Sequence, residues 1–169
     1  YLSKKGYKNA VIYSMGTTLE DVIKASECEK NIVISLAGLK AAKYLKDKFG
    51  IPYEIAYPFI PENIIKEAKN YSGKNILIIH SQFAANELRK EIGNTDKIKC
   101  ATWFMQDKEF AGEGDIQLSG EDDLTELLEK ENFDLIIADS DAFALIKAAG
   151  YNGDFIDYPE FAVSGRLLG

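Results

Sequence analysis

Histidine is nearly absent from this chain. His80 is the only one in 169 residues, and cysteine occurs twice, at Cys28 and Cys100. Neither cysteine belongs to a CxxC pair, so a zinc site built from this chain alone is not expected. Two isolated thiols fit a reducing compartment, the cytoplasm, better than a disulfide framework. No Lys/Arg block occurs, and 27 acids against 20 bases leave a net charge of −7. A nucleic-acid binder would normally carry a positive patch, so that class is set aside. No apolar run reaches the roughly 20 residues of a membrane helix, and no stretch reads as a secretory signal. Phosphate loops are missing too. "SLAG" and "SMGTT" lack the spacing of GxGxxG or GxxxxGK[ST].

What is present is a regular alternation. Apolar runs bounded by turn residues predict strands at 9–14, 31–36, 53–58, 75–80, 98–104, 114–119, 133–139 and 153–159. Helical patterns predict helices at 18–25, 38–49, 61–71, 83–92, 122–131 and 142–149. Thr17 or Thr18 can cap the first, with Glu20 and Asp21 in its opening turn. Phe49-Gly50 stops the second. Strand–helix alternation implies an α/β protein with parallel sheets flanked by helices.

The segment at 31–60 also has a near-repeat at 134–161. Each reads strand, small or polar turn, helix, glycine, strand, then Tyr-Pro: Tyr57-Pro58 and Tyr158-Pro159. "KNYSGKN" reads as a crossover, giving two Rossmann-like lobes, 1–71 and 72–169, with a cleft expected between them. The chain opens on Tyr1 and runs out in "AVSGRLLG", so a fragment of a longer polypeptide is expected.

Ligands of open parallel sheets bind beyond the carboxyl ends of the strands. Those ends present Ser14-Met15-Gly16-Thr17, Ser35-Leu36-Ala37-Gly38, His80-Ser81-Gln82 and Asp139-Ser140-Asp141. His80, Asp139 and Asp141 are the acid–base candidates. Ser35, Gly38, Ser81 and Ser140 are candidates for cofactor contact. Each has a plainer explanation. Gly38 can simply let helix and strand approach, and Ser140 or Asp141 can cap a helix. His80 can be a hydrogen-bonded structural group. A receiver domain is excluded: "AVIYSMG" has no acid pair and "ILIIHSQ" no phosphorylatable aspartate. Trp103 and Phe104 suit a core strand emerging at the rim, or stacking on a planar ligand.

The ordered series of segments carries a resemblance. "GTTLEDVIKASECEKNIVISLAGLKAAKYLKDKFGIPYEIAYPFIPENI" resembles the second domain of nitrogenase component 1-type proteins, where a helix and an "N-L-V" strand lead to "F-G-I-P-Y". "SGKNILIIHSQFAANELRKEIG" resembles the opening of their third domain, and "FDLIIADSDAFALIKAAGYNGDFIDYPEFAVSGR" its end. The resemblance implies Rossmann-like domains, a homologous partner subunit or self-dimer, and electrons from a separate ATP-dependent iron–sulfur protein. It implies an iron–sulfur cluster in the full-length protein, held by a first domain this chain lacks. No cofactor is expected to be held by this chain itself.

Within that resemblance, Ser35 stands where the catalytic nitrogenase subunit has its cofactor cysteine. No histidine stands near Tyr158-Pro159, where the family's cofactor histidine lies. A hydroxyl does not replace thiolate on a soft metal cluster. The expectation is therefore a nitrogenase-like oxidoreductase fragment, inactive alone, whose loops line a cofactor or substrate cleft. A small-ligand or metal-chelate binding module and a subunit-pairing lobe remain the alternatives.

Overall fold

A computed structural model of the chain describes residues 6, 7, 9–13 and 16–160. Ser14 and Met15, expected at a strand end, lie outside the described residues, as do the last nine. The chain divides into two compact units between Phe59 and Ile60.

In the first unit, helix α1 (Leu19–Ile23) starts at a capping box. The Asp21 amide donates to Thr18 Oγ1 at 3.2 Å, and the Thr18 amide donates to the Asp21 carboxylate at 3.1 Å. Strand β1 (Asn31–Val33), helix α2 (Leu36–Phe49) and strand β2 (Tyr53–Ile55) then form one parallel βαβ unit. Gly50, at φ 71°, ends α2 in the left-handed region that a side chain would strain.

The strand expected at 9–14 does not form among the described residues. Residues 9–13 pair with neither β1 nor β2, and Val11, Ile12 and Tyr13 are exposed. An apolar run has strand character only where a neighbouring strand and a covered face receive it.

The second unit begins with helix α3 (Glu62–Lys69). The sequence places the division at Tyr71–Ser72. The contacts draw it before α3, because that helix packs against α4 (Gln82–Ile92) and β7 (Asp154–Asp157). Strands β3 (Ile76–Ile79), β4 (Ile98–Thr102), β5 (Ile116–Gln117), β6 (Leu135–Ala138) and β7 build one wholly parallel sheet in the order β5-β4-β3-β6-β7. Helices α5 (Glu121–Lys130) and α6 (Phe143–Ala148) complete it.

Strands β3 and β6 are buried along their whole length, as parallel strands covered on both faces must be. Leu77, Ile79, Ile136 and Ala138 join one cluster with Leu124 and Leu127 of α5 and Ile146 of α6. Strand alternation turns Ile76, Ile78 and Ile137 to the other face.

A buried ion pair ties down the connection between β4 and β5. Both carboxylate oxygens of Asp115 accept from Arg89, at 2.7 and 2.9 Å, and they also accept from the Cys100 and Gly112 amides. A Cβ on Gly112 would sit 2.6 Å from Arg89 Nη1, so a side chain there would push the guanidinium from its present place against Asp115.

Candidate functional site

The strand order fixes where the sheet opens. From β3 the chain moves outward through β4 to β5. From β6 it moves the opposite way to β7. β3 and β6 are therefore the adjacent strands at which the winding reverses, where α/β sheets bind ligands. His80 directly follows β3, and Asp139 directly follows β6.

Both residues are buried, at 2% and 3% exposure. The His80 ring is held by the chain itself. The Ser81 amide donates to Nδ1 at 2.9 Å, and Nε2 donates to the Pro159 carbonyl at 3.3 Å. An amide only donates and a carbonyl only accepts, so the ring is the neutral Nε2–H tautomer. Ser81 Oγ lies 3.1 Å from Nδ1, and the Tyr158 ring stacks on the imidazole with centroids 4.1 Å apart. Burial pulls the His80 pKa down to about 4, against the Pro159 carbonyl and Asp139, which favour the charged ring.

Asp139 accepts from two backbone amides, Asp141 at 2.9 Å and Glu160 at 2.7 Å. It, rather than Ser140 or Asp141, caps the short turn at Ser140–Ala142. The Ser140 amide donates to Asp157, and Asp141 is exposed. Among the second-unit candidates, the fold thus gathers His80, Ser81 and Asp139 into one cluster and leaves Asp141 at its rim.

The sequence reading missed the third ionisable member. Glu160 is 5% exposed, with Oε1 3.7 Å from His80 Nδ1. Burial pushes its carboxyl up to about 7; Asp139 adds to the shift and the Ser81 amide opposes it. Its one sequence signal is an acid directly after the Tyr-Pro that closes a strand. The cluster is a neutral imidazole beside a carboxyl that holds its proton to near neutrality.

Ser35 and Gly38 belong to the first unit. Ser35 precedes α2 without a side-chain cap bond and is exposed, as is Gly38. A Cβ on Gly38 would meet Val33 at an ordinary 3.6 Å, so close packing does not require glycine there.

The cysteines do not fit an iron–sulfur cluster, which takes several thiolates together. Cys100 is buried in β4 with its thiol pushed well up by burial, and Cys28 lies in the other unit. Among the described residues no group of three His, Cys, Asp or Glu is arranged to hold a metal ion, and no helix is long and apolar enough to cross a membrane.

The parallel sheets, the flanking helices and the reversal point define a Rossmann-like α/β protein. Among solved structures the chain is similar to "Nitrogenase Cp1 at pH 6.5", with a TM-score of 0.58 at 16% identity. The match covers 94% of this chain and 44% of that one, so the chain spans less than half the length of its neighbour. At that identity the likeness establishes the fold. No family model matches the sequence, and no curated protein does.

Proposed function

We propose that this chain is part of a nitrogenase-like oxidoreductase subunit. The observation carrying the reading is the fold likeness to nitrogenase over 94% of the chain. The ordered series of sequence segments supports it independently. In this reading the full-length protein holds an iron–sulfur cluster through residues outside this chain, pairs with a homologous subunit or itself, and receives electrons from an ATP-dependent iron–sulfur protein. Among the strand-end groups, Ser35 and Gly38 in the first unit, and separately Ser81 and Ser140 in the second, are the proposed positions for substrate or cofactor contact. Proton supply falls to His80, Asp139 and Asp141, because reduction of a bound substrate consumes protons. Ser35 in place of a thiolate argues against a nitrogenase-type cofactor held here.

The test is iron and acid-labile sulfide in the full-length gene product, purified without oxygen, beside this 169-residue chain. Cluster in the full-length protein and none in the chain supports the reading; no iron in either overturns it. His80→Gln in the full-length enzyme is expected to lower turnover.

One observation favours a second reading, a binding module without catalysis. His80 and Asp139 are engaged by the chain's own backbone. Ligand-induced thermal stabilisation without electron transfer would support it.

A further inference from the structure

The connection from α6 to β7 passes through Asn152-Gly153, the one Asn-Gly step in the sequence. An asparagine side-chain amide can be attacked by the backbone nitrogen of the next residue. Glycine there favours the attack, because no Cβ hinders the approach and the backbone is free to turn. Both residues are exposed. Both also line an open hollow of about 280 Å³, together with Glu131, Asn132, Phe133 and Tyr151. Solvent therefore reaches the pair.

The backbone leaves the attacking nitrogen unengaged. Bonding between β6 and β7 starts one residue later, where the Asp154 amide donates to the Asp134 carbonyl at 3.1 Å. Among the described residues no acceptor takes the Gly153 N–H. The Asn152 side chain is held by its nitrogen alone, which donates to the Gly150 carbonyl at 3.0 Å. One exposed bond is a weak restraint. The glycine, by contrast, is fixed by packing. A Cβ at 153 would lie 2.6 Å from Tyr151 Cζ. Tyr151 is buried, and its hydroxyl donates to the Asp154 carbonyl at 2.7 Å. A side chain at 153 would push that ring from its place, so the packing of Tyr151 and the reactive dipeptide come together.

We propose that Asn152-Gly153 is a site of spontaneous deamidation in the folded protein, converting the link into β7 to a mixture of isoaspartate and aspartate. The Gly153 nitrogen gives up its proton and bonds to Asn152 Cγ. The Cγ–Nδ2 bond breaks, and ammonia leaves with that proton. Water then opens the cyclic imide. Cleavage at Cγ restores an ordinary aspartyl link, and cleavage at the backbone carbonyl leaves the chain running through the side chain. No oxidant, reductant or enzyme takes part, so the inference stands apart from the oxidoreductase reading. The isoaspartyl product lengthens the main chain by a methylene just before Asp154 pairs with Leu135. Either product adds a carboxylate. The charged groups around it are Glu131, paired with Lys99, Asp154, which accepts from the Tyr71 hydroxyl, and Lys147, over the Tyr151 ring.

The experiment is peptide mapping of the native protein during storage in warm buffer, beside the same protein unfolded in urea at the same pH. The expected result is the mass gain of deamidation in the Asn152 peptide, with isoaspartate present alongside aspartate. The native rate is expected to fall within about tenfold of the unfolded rate, because an exposed connection opens at little cost. It is also expected to rise by up to about tenfold per pH unit, because the attacking amide anion is a minor species far below its pKa. A native rate more than about tenfold below the unfolded one overturns the inference, since the fold would then protect the step. Aspartate without isoaspartate overturns it too, because direct hydrolysis of the side chain forms no imide. Asn152→Ser, which keeps Gly153 and the Tyr151 packing, is expected to abolish the mass gain in that peptide. A gain that survives the substitution places the reaction elsewhere and overturns the assignment.

Discussion

The two near-repeat units, β1-α2-β2 and β6-α6-β7, make an internal comparison. Each is a parallel strand pair joined by one helix, and each closes on Tyr-Pro. Their surroundings differ. Among the described residues β6 lies inside a sheet of five strands, and all four of its residues are buried. Among the described residues β1 and β2 form a sheet of two, with only Val33 buried among their six residues. Tyr158 is fully buried, whereas its counterpart Tyr57 is half-buried. The same pattern of apolar residues thus yields a core in one place and a thin sheet in the other. The lesson is that burial comes from neighbouring strands and covering helices, not from the segment's own hydrophobicity.

The largest expected effect separates a buried ion pair from an exposed one. Asp115→Ala strands the Arg89 guanidinium in the second unit and is expected to cost about 3–5 kcal/mol in urea unfolding. Glu54→Ala, which removes the exposed partner of Lys30 in the first unit, is expected to cost under about 1 kcal/mol. Equal losses would break the comparison.

Core truncation sharpens the same contrast. Ile136→Ala empties a site with no exposure in β6 and is expected to cost about 2–5 kcal/mol. Ile23→Ser, at a 63% exposed apolar residue of α1, is expected to fall within about 0.5 kcal/mol of zero. A large loss at Ile23 would mean that the first unit's apolar surface is covered in the folded protein.

The His80–Glu160 pair is expected to show itself in the pH dependence of stability. His80 is lowered from 6.5 to about 4, so its contribution is lost as pH falls through that window. Glu160 is raised from 4.5 to about 7, so its contribution is lost as pH rises through its own window. Between pH 4.5 and 6.5 the two slopes oppose each other and the native protein is expected to be nearly flat. His80→Gln leaves the Glu160 slope, with stability falling as pH rises. Glu160→Gln leaves the His80 slope, with stability rising. Each slope amounts to at most about 3 kcal/mol across its window. Denaturant unfolding from pH 4 to 7.5 checks this, and parallel slopes in the two variants would refute the pairing.

The smallest perturbation is isotopic. Backbone amides of β3 and β6 are expected to exchange hydrogen much more slowly than those of β1 and β2, because exchange follows the local opening free energy. Equal protection would mean that the two-stranded sheet is braced as well as the five-stranded one.

Much of this architecture was legible from the chain alone. "ILII" between Asn75 and His80 reads as a doubly covered strand because parallel strands tolerate few polar positions. Thr18 with Asp21, and Phe49 with Gly50, announce a helix start and a helix stop because caps are local chemistry. Residues 9–13 misled for the complementary reason: their apolar run is local, but the strand partner they would need is not.

The candidate site divides in the same way. His80 and Asp139 were visible because each terminates an apolar strand. Glu160 was not, because nothing in "YPEF" shows that its side chain reaches a histidine 80 residues away in the sequence. By itself, the sequence determined the α/β alternation, most strand and helix positions, and which polar residues stand at strand ends. These follow from periodicity and capping within a few residues. Only the tertiary structure decided that β3 and β6 lie side by side, that the segment after β7 crosses both, and which cluster member holds the proton. Those outcomes depend on strand order and burial, and both arise from contacts among residues far apart in the chain.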